Sequence, residues 1–369
     1  MRIAVANHQA AERICRILRE IPEYSIAWIA EKGEEAVKRC RADRPDLLLI
    51  DPEIPGLDGI EATRQIMERT PCQILIVTQT IEKNAARVFK AIGCGALDAV
   101  DIPLSGANST AEQSRKTFLK KIRTMSRLQR HDNELFPIET HRHKPTTAKA
   151  PQTAPPRKSE IFQRKTDTLR AFGVTLPPLI VIGSSTGGPK TLVRIFSKLP
   201  HDLHAAIVVI QHLEQEFSAG LAEWLNTQTA LRVRVAMRSG RPETGVIDVA
   251  GTNDHLVITS GLTFAYTPEP FDNPYRPSVN VFFRSVARYW PDVGCGLVLT
   301  GMGRDGAAEL LTLRSLGWHT IAQNKESSIV YGMPKAANEL NAAVEILPLD
   351  AIGPAIVRFS SQTVKTPSQ

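Results

Sequence analysis

Two doubly wound parallel α/β domains joined by a basic, proline-containing linker are what this sequence predicts, and three observations carry the prediction. Short apolar segments alternate with amphipathic ones along residues 2–103 and again from residue 176 onward, the order that builds a parallel sheet with helices on both faces. Periodicity is lost between Glu134 and Thr175, where Pro137, Pro145, Pro151, Pro155 and Pro156 stand among Thr, Ala, Lys, His and Gln; such a composition reads as a tether. The chain of 369 residues is also long for one domain, because roughly 150 residues per domain suggests two or three. The expected division is a first domain over 1–130, a linker over 131–175, a second domain over 176–360 and a tail over 361–369.

Composition excludes several classes. The hydrophobic share of 42% and charged share of 22% are those of a soluble globular protein with ample core-forming residues. Cys15, Cys40, Cys72, Cys94 and Cys295 form no C-x-x-C pair, which fits reduced thiols rather than a disulfide framework or zinc site. The N-terminus turns polar at Asn7-His8 too soon for a signal peptide. No apolar run approaches the roughly 18 residues of a membrane span. A cytoplasmic protein, not integral to a membrane, is therefore expected. Much of the net charge of +7 falls between Phe118 and Arg170, in a helix and a linker rather than in a recognition surface, so no nucleic-acid partner is expected.

Taken in order, the first domain has expected strands at Ile3–Ala6, Ser25–Ile29, Leu47–Ile50, Ile74–Val77 and Ala99–Val100. Between the third and fourth, Gly59–Arg69 reads as a helix with Ile60, Thr63 and Met67 on one stripe. Parallel sheets gather function at the carboxyl ends of their strands. The third strand runs into Asp51-Pro52-Glu53-Ile54-Pro55-Gly56-Leu57-Asp58-Gly59, where Asp51 is either a turn-stabilising carboxylate or a reactive one.

That strand, with its D-x-x-x-P and D-G pattern, resembles response-regulator receiver domains over residues 1–105. The resemblance implies a flavodoxin-like fold, a phospho-accepting Asp51, a switch hydroxyl at Thr78 and a chemotaxis-type histidine kinase as phosphodonor. Three positions depart from it. Receivers hold magnesium with an acidic pair after the first strand, and Asn7-His8 stands there; magnesium prefers carboxylate and water oxygens. Ile102 replaces the family's lysine before Pro103, and Ala99 stands at its switch aromatic. Magnesium is thus expected only if the receiver is phosphorylated. The reading favours a regulatory domain that is constitutive or governed by protein contact, with Asp51 a relic.

From Thr110 to Arg130 the pattern is helical, with Phe118, Ile122 and Met125 on one face and Arg115, Lys116, Lys120, Lys121 and Arg123 around it. A basic amphipathic helix can bind a membrane or an acidic partner. The reading preferred is the last helix of the first domain.

The second domain opens on Leu179-Ile180-Val181-Ile182, a buried strand, followed by Gly183-Ser184-Ser185-Thr186-Gly187-Gly188-Pro189. Gly183-x-Ser185-x-Gly187 has the spacing of a nucleophile elbow, a sharp strand-to-helix turn that presents a hydroxyl. A glycine-rich turn that cradles phosphate is the rival reading. A second buried strand, Ala205–Ile210, ends in Gln211-His212, and a third, Gly296–Thr300, in Gly301-Met302-Gly303-Arg304-Asp305-Gly306. Three strand ends therefore carry a serine, a histidine and an aspartate, the composition of a catalytic triad. Alternatives stay open at this level: His255, beside Asp254, is a second candidate base, and Asp305 is also placed to cap the helix that follows it.

Residues 178–357 resemble the catalytic domain of chemotaxis protein-glutamate methylesterases, the CheB family. The matching motifs are Ile182–Gly188, Gln211-His212, Arg276-Pro277-Ser278-Val279, Leu299–Ala307 and Tyr331-Gly332-Met333-Pro334-Lys335. By that resemblance Ser185, His212 and Asp305 form the triad, with Thr186 and Met302 lining the site. It implies hydrolysis of glutamate γ-methyl esters on methyl-accepting chemoreceptors, with methanol released, and deamidation of receptor glutamines. No cofactor or metal is implied for that chemistry. Asn7 and Asp98-Ala99-Val100-Asp101 are similar to the branch serving surface-sensing (Wsp-type) systems, motility chemotaxis being the other setting. The competing reading is a non-catalytic regulatory binding protein with a degenerate receiver.

Overall fold

A computed structural model describes residues 1–104, 106, 109–133, 176–213, 215–273 and 275–364, divided into two compact units. Of the expected linker over 131–175, residues 134–175 lie outside the described residues.

In chain order the elements up to Asn133 are β1 (Arg2–Ala6), α1 (Ala11–Arg19), β2 (Ser25–Ala30), α2 (Gly33–Ala42), β3 (Leu47–Ile50), α3 (Gly59–Arg69), β4 (Gln73–Thr78), α4 (Ile81–Gly93), β5 (Asp98–Asp101) and α5 (Ser109–Asn133), of which α4 groups with the second unit. The strand order is β2-β1-β3-β4-β5, with β1 parallel to both β2 and β3 and β3 parallel to β4. Direction of winding reverses between β1 and β3, and a crevice opens at such a switch point, at the carboxyl ends of the strands. Asn7 follows β1 and Asp51 follows β3. Those ends are thus brought together by topology. All four residues of β3 are buried, as a central strand covered on both faces requires.

Two helices show how the apolar pattern was used. On α3 the buried residues are Gly59, Ala62, Thr63 and Ile66, so the inward face is rotated from the expected Ile60–Thr63–Met67 stripe. Asp58 caps this helix by accepting from the Glu61 N–H, and Thr63 satisfies its buried hydroxyl on the Gly59 carbonyl at 2.7 Å. A small-residue face packs closer, leaving Ile60 and Met67 half-buried at its flanks. On α5 the expected stripe of Phe118, Ile122 and Met125 is fully buried. The helix closes its own unit, and its apolar face is spent inside the protein. It runs to Asn133, past the boundary expected at 130.

The second unit contains β6 (Leu179–Ser184), α6 (Gly188–Phe196), β7 (Ala206–Gln211), α7 (Gln215–Asn226), β8 (Arg232–Val235), β9 (Val246–Val249), β10 (His255–Ile258), β11 (Phe264–Thr267), α8 (Val279–Tyr289), β12 (Cys295–Val298), α9 (Ala307–Ser315), β13 (His319–Gln323), α10 (Met333–Glu339), β14 (Glu345–Leu347) and α11 (Leu349–Val364). Its seven-stranded sheet has the order β14-β13-β12-β6-β7-β9-β8, and every neighbouring pair is parallel. β10 and β11 form a separate antiparallel hairpin. The chain winds from β6 toward β7 on one side and from β12 toward β14 on the other. The switch point therefore lies between β6 and β12, whose following loops carry Ser185 and Asp305. α11 ends at Val364, beyond the boundary expected at 360. Among the described residues no helix is long and apolar enough to cross a membrane.

Replacing Phe118 with Ala should remove about 3–5 kcal/mol from the stability of the first unit, measured as faster amide exchange across β1, β3 and β4. A loss under about 1 kcal/mol would contradict the assignment of this face to the core.

Candidate active site

β6 stops at Ser184 and α6 starts at Gly188, so the chain reverses within Ser185-Thr186-Gly187. Gly187 sits in the left-handed region at φ +77°, a conformation that costs a side-chain-bearing residue. The turn is tied down on both sides. Gln211, ending β7, donates from its amide to the Ser185 carbonyl at 2.9 Å and accepts the Ser184 hydroxyl at 2.7 Å. The Ser185 N–H reaches the Thr300 carbonyl beyond β12 at 3.0 Å. Ser184 is buried and its hydroxyl is spent on Gln211, whereas Ser185 is half-exposed. This difference separates the two adjacent serines.

His212 lies beside the elbow because β6 and β7 are in register up to Ser184 opposite Gln211, and its own N–H bonds the Ser184 carbonyl at 3.0 Å. One residue past that pair on each strand stand Ser185 and His212. The imidazole Nε2 is 2.8 Å from Asp305 Oδ2, with the two side chains 10% and 2% exposed. A carboxylate only accepts, so the neutral imidazole carries its proton on Nε2 and leaves the Nδ1 lone pair available. Nδ1 is buried with no hydrogen-bond partner among the described residues.

Asp305 is held as an anion at the start of a different helix from the one it precedes. α9 is capped by Gly306 without a side-chain bond. The Asp305 carboxylate instead takes the N-terminus of α8: Ser278 Oγ donates to Oδ1 at 2.9 Å, Val279 N–H to Oδ2 at 2.6 Å and Asn280 N–H to Oδ1 at 3.1 Å. Exposed N–H groups and the positive helix end favour negative charge there. Burial by itself would push the carboxyl up. The His212 hydrogen bond and charge, then the N–H groups of Asn280 and Val279, outweigh it and hold the carboxyl below its ordinary range.

His255, the second candidate base, has another task. It is buried, its Nδ1 accepts the Ser278 N–H at 3.1 Å and its Nε2 lies 3.4 Å from the Pro270 carbonyl oxygen. Burial lowers its proton affinity, so it serves as a neutral acceptor that fixes the first residue of the Asp305 cradle. Thr186 is buried, and its carbonyl accepts from Thr300 Oγ1 at 3.0 Å; Met302 lies half-buried in the loop that leads to Asp305. Tyr275 stacks on the His212 ring, centroids 4.5 Å apart and planes inclined by 11°. Sequence reasoning missed Tyr275, Ser278 and Asn280 as parts of the site. The quoted Arg276–Val279 motif was the one signal that pointed near them.

In the first unit, Asn7 Nδ2 donates to Asp51 Oδ2 at 2.8 Å, while Asn7 Oδ1 accepts from the N–H groups of Gln9 at 3.0 Å and Ala10 at 2.6 Å. The Glu53 N–H meets the other Asp51 oxygen at 2.9 Å. His8 is exposed and Thr78 buried. A divalent cation needs oxygens turned toward it. Here the Asn7 oxygen is engaged by backbone and its NH₂ group faces Asp51, so this donor set does not fit magnesium. Ala99 and Ile102 are buried.

Two family models match the chain: the response regulator receiver domain over residues 3–108 and CheB methylesterase over residues 180–356. A protein-glutamate methylesterase/protein-glutamine glutaminase of Mesorhizobium japonicum is 46% identical over 360 residues, covering 97% of this chain and 98% of that one. A protein of the same name from Pseudomonas savastanoi pv. phaseolicola is 43% identical over 364 residues, covering 98% of this chain and all of that one. The chain belongs to the CheB methylesterase family. Ser185, His212 and Asp305 all fall inside the segment matched to the CheB methylesterase model, and so do Tyr275 and the α8 donors.

The depressed Asp305 value has a signed consequence. Stabilisation from a carboxyl whose folded-state affinity for protons is lowered is complete above the unfolded carboxylate range and is lost as the pH falls through the folded value. Asp305→Asn should therefore cost about 1–3 kcal/mol near neutrality. The gap to wild type should narrow below about pH 4, as thermal denaturation of both proteins across the acid range will read. A gap that holds constant or widens on acidification contradicts the charge-based account.

Proposed function

We propose that this chain is a serine-type protein-glutamate methylesterase acting on methyl-accepting chemoreceptors from the cytoplasm. The observation that carries the reading is the His212–Asp305 pair, set one residue beyond the strand register that places His212 beside Ser185. Ser185 Oγ attacks the γ-carbonyl carbon of the methylated glutamate, and its proton passes to His212 Nδ1. The backbone N–H of Thr186, the residue after the nucleophile, receives the oxyanion, since the Gly188 N–H is already bonded to the Ser185 carbonyl at 2.7 Å. Collapse of the tetrahedral species breaks the ester C–O bond, and the proton on His212 leaves with methoxide as methanol. A water molecule, deprotonated by His212, then attacks the acyl-enzyme, and Ser185 recovers its proton as the receptor carboxylate departs. The imidazolium formed in each half is countered by Asp305, already ionised at the start of α8. A glutamine side chain would follow the same route with ammonia leaving, which is the glutaminase activity in the relatives' name.

The charge states alternate at one nitrogen only, and no metal is required. For the receiver we propose control without ordinary phosphorylation at Asp51, because the Asn7 amide satisfies the carboxylate that a magnesium ion would otherwise share. A chemotaxis-type kinase would then act on this chain by contact rather than by phosphoryl transfer.

Methanol release from methylated receptor membranes should fall by roughly a millionfold at the chemical step in Ser185→Ala; a wild-type protein that releases none, or a variant that releases as much, sinks the enzymatic reading. Incubation with a small phosphodonor and magnesium should leave the intact mass of wild type unchanged, whereas Asn7→Asp combined with His8→Asp should gain one phosphoryl group. Phosphorylation of wild type at Asp51 would overturn the proposed mode of control.

A further inference from the structure

We propose that Tyr275 is a positioning residue for the reaction at Ser185, acting through the His212 ring. The inference rests on the methylesterase reading and adds to it a side chain with no part in proton transfer.

Among the described residues His212 has one in-plane anchor, the 2.8 Å contact from Nε2 to Asp305. A single hydrogen bond leaves an imidazole free to rock about the axis through that bond, and rocking carries Nδ1 out of line with the serine. Tyr275 removes that freedom. Its ring covers one face of the imidazole nearly parallel, at a centroid distance of 4.5 Å, within the usual range for stacked aromatic pairs. Anchor and face together define both the direction and the plane of the base. When His212 takes the serine proton, the positive charge develops against the electron-rich face of Tyr275.

The placement of Tyr275 is itself built in. Its N–H is held by Asn273 Oδ1 at 2.9 Å. Three residues later the same segment delivers Ser278, Val279 and Asn280 to Asp305. One short stretch of chain therefore grips both members of the His212–Asp305 pair. The loop from β12 to Asp305 makes room for it at Gly303, which has φ +89°. A Cβ on Gly303 would lie 2.1 Å from the Tyr275 hydroxyl oxygen and 3.1 Å from the ring carbon bearing it. Any side chain there displaces the tyrosine ring from its seat. Burial and then the Asp305 charge hold the Tyr275 phenol above its ordinary value, so it remains neutral through the working range.

The test uses the full chain and two readouts. Labelling of Ser185 by a small fluorophosphonate, followed by intact mass, reports the reactivity of the serine without a receptor. Methanol release from methylated receptor gives kcat and KM. Tyr275→Leu should slow labelling and lower kcat by roughly tenfold with KM unchanged, while Tyr275→Phe, which keeps the face, should stay within about twofold of wild type. Gly303→Ala should also slow labelling, and less so in the Tyr275→Phe background, where the clashing oxygen is gone. Labelling of Tyr275→Leu at the wild-type rate overturns the proposal, as does an equal loss in Phe and Leu variants. Failure of wild type to label at Ser185 overturns the methylesterase reading along with it. Loss of near-UV circular dichroism in Tyr275→Leu shifts the decision to the Phe and Gly303 variants, which preserve the ring.

Discussion

A carboxylate withdrawn from water must be matched by donors, and the site of this protein is arranged around meeting that need for Asp305. Four hydrogen bonds converge on its two oxygens, three from the capping Ser278 and the first two residues of α8 and one from His212. Because the His212 hydrogen bond and charge, with the N–H groups of the α8 end behind them, outweigh burial, the aspartate stays ionised while buried. An ionised Asp305 fixes the His212 tautomer, and the tautomer decides which ring nitrogen is left to act as a base. Remove the α8 N-terminus and each later choice becomes undetermined. The buried His255, accepting the Ser278 N–H, extends the same requirement outward by one layer.

Both units obey one topological rule and put it to different ends. In each, a parallel sheet reverses its winding, and the loops beside that reversal hold the polar groups. In the first unit the reversal joins Asn7 to Asp51 through a neutral amide, which uses up the carboxylate locally. In the second it sets the elbow serine at the strand edge that carries the His212–Asp305 pair, and His212 Nδ1 is buried without a partner among the described residues. The first arrangement closes a hydrogen-bonding account; the second leaves one donor–acceptor position ready for a proton.

Much of this is legible in the sequence. Buried parallel strands announce themselves as β-branched runs, and the residues that end them are then forced to one edge, so Ser185, His212 and Asp305 could be gathered from sequence. What could not be read were contacts made across the chain. Nothing local marks Tyr275 as the partner of a histidine 63 positions earlier. Asp305 preceding Gly306 and Ala307 looks like a cap for its own helix, yet the carboxylate turns to α8, because that end offers three donors. On α3 the stripe of Ile60, Thr63 and Met67 suggested the inward face, but Gly59, Ala62, Thr63 and Ile66 took it, with Gly59 set so close to the Asp51 carbonyl that a Cβ there would lie 2.1 Å from its oxygen. The Asn7 substitution was visible; that its amide would turn toward Asp51 was not.

The proposed reaction requires a covalent intermediate at one hydroxyl. Rapid mixing of the protein with a methylated receptor fragment, acid quenching and peptide mass mapping should recover a glutamyl ester on Ser185, equal in mass to the substrate less methanol. Turnover with no such adduct, or an adduct carried by Ser184 or any other side chain, would contradict it.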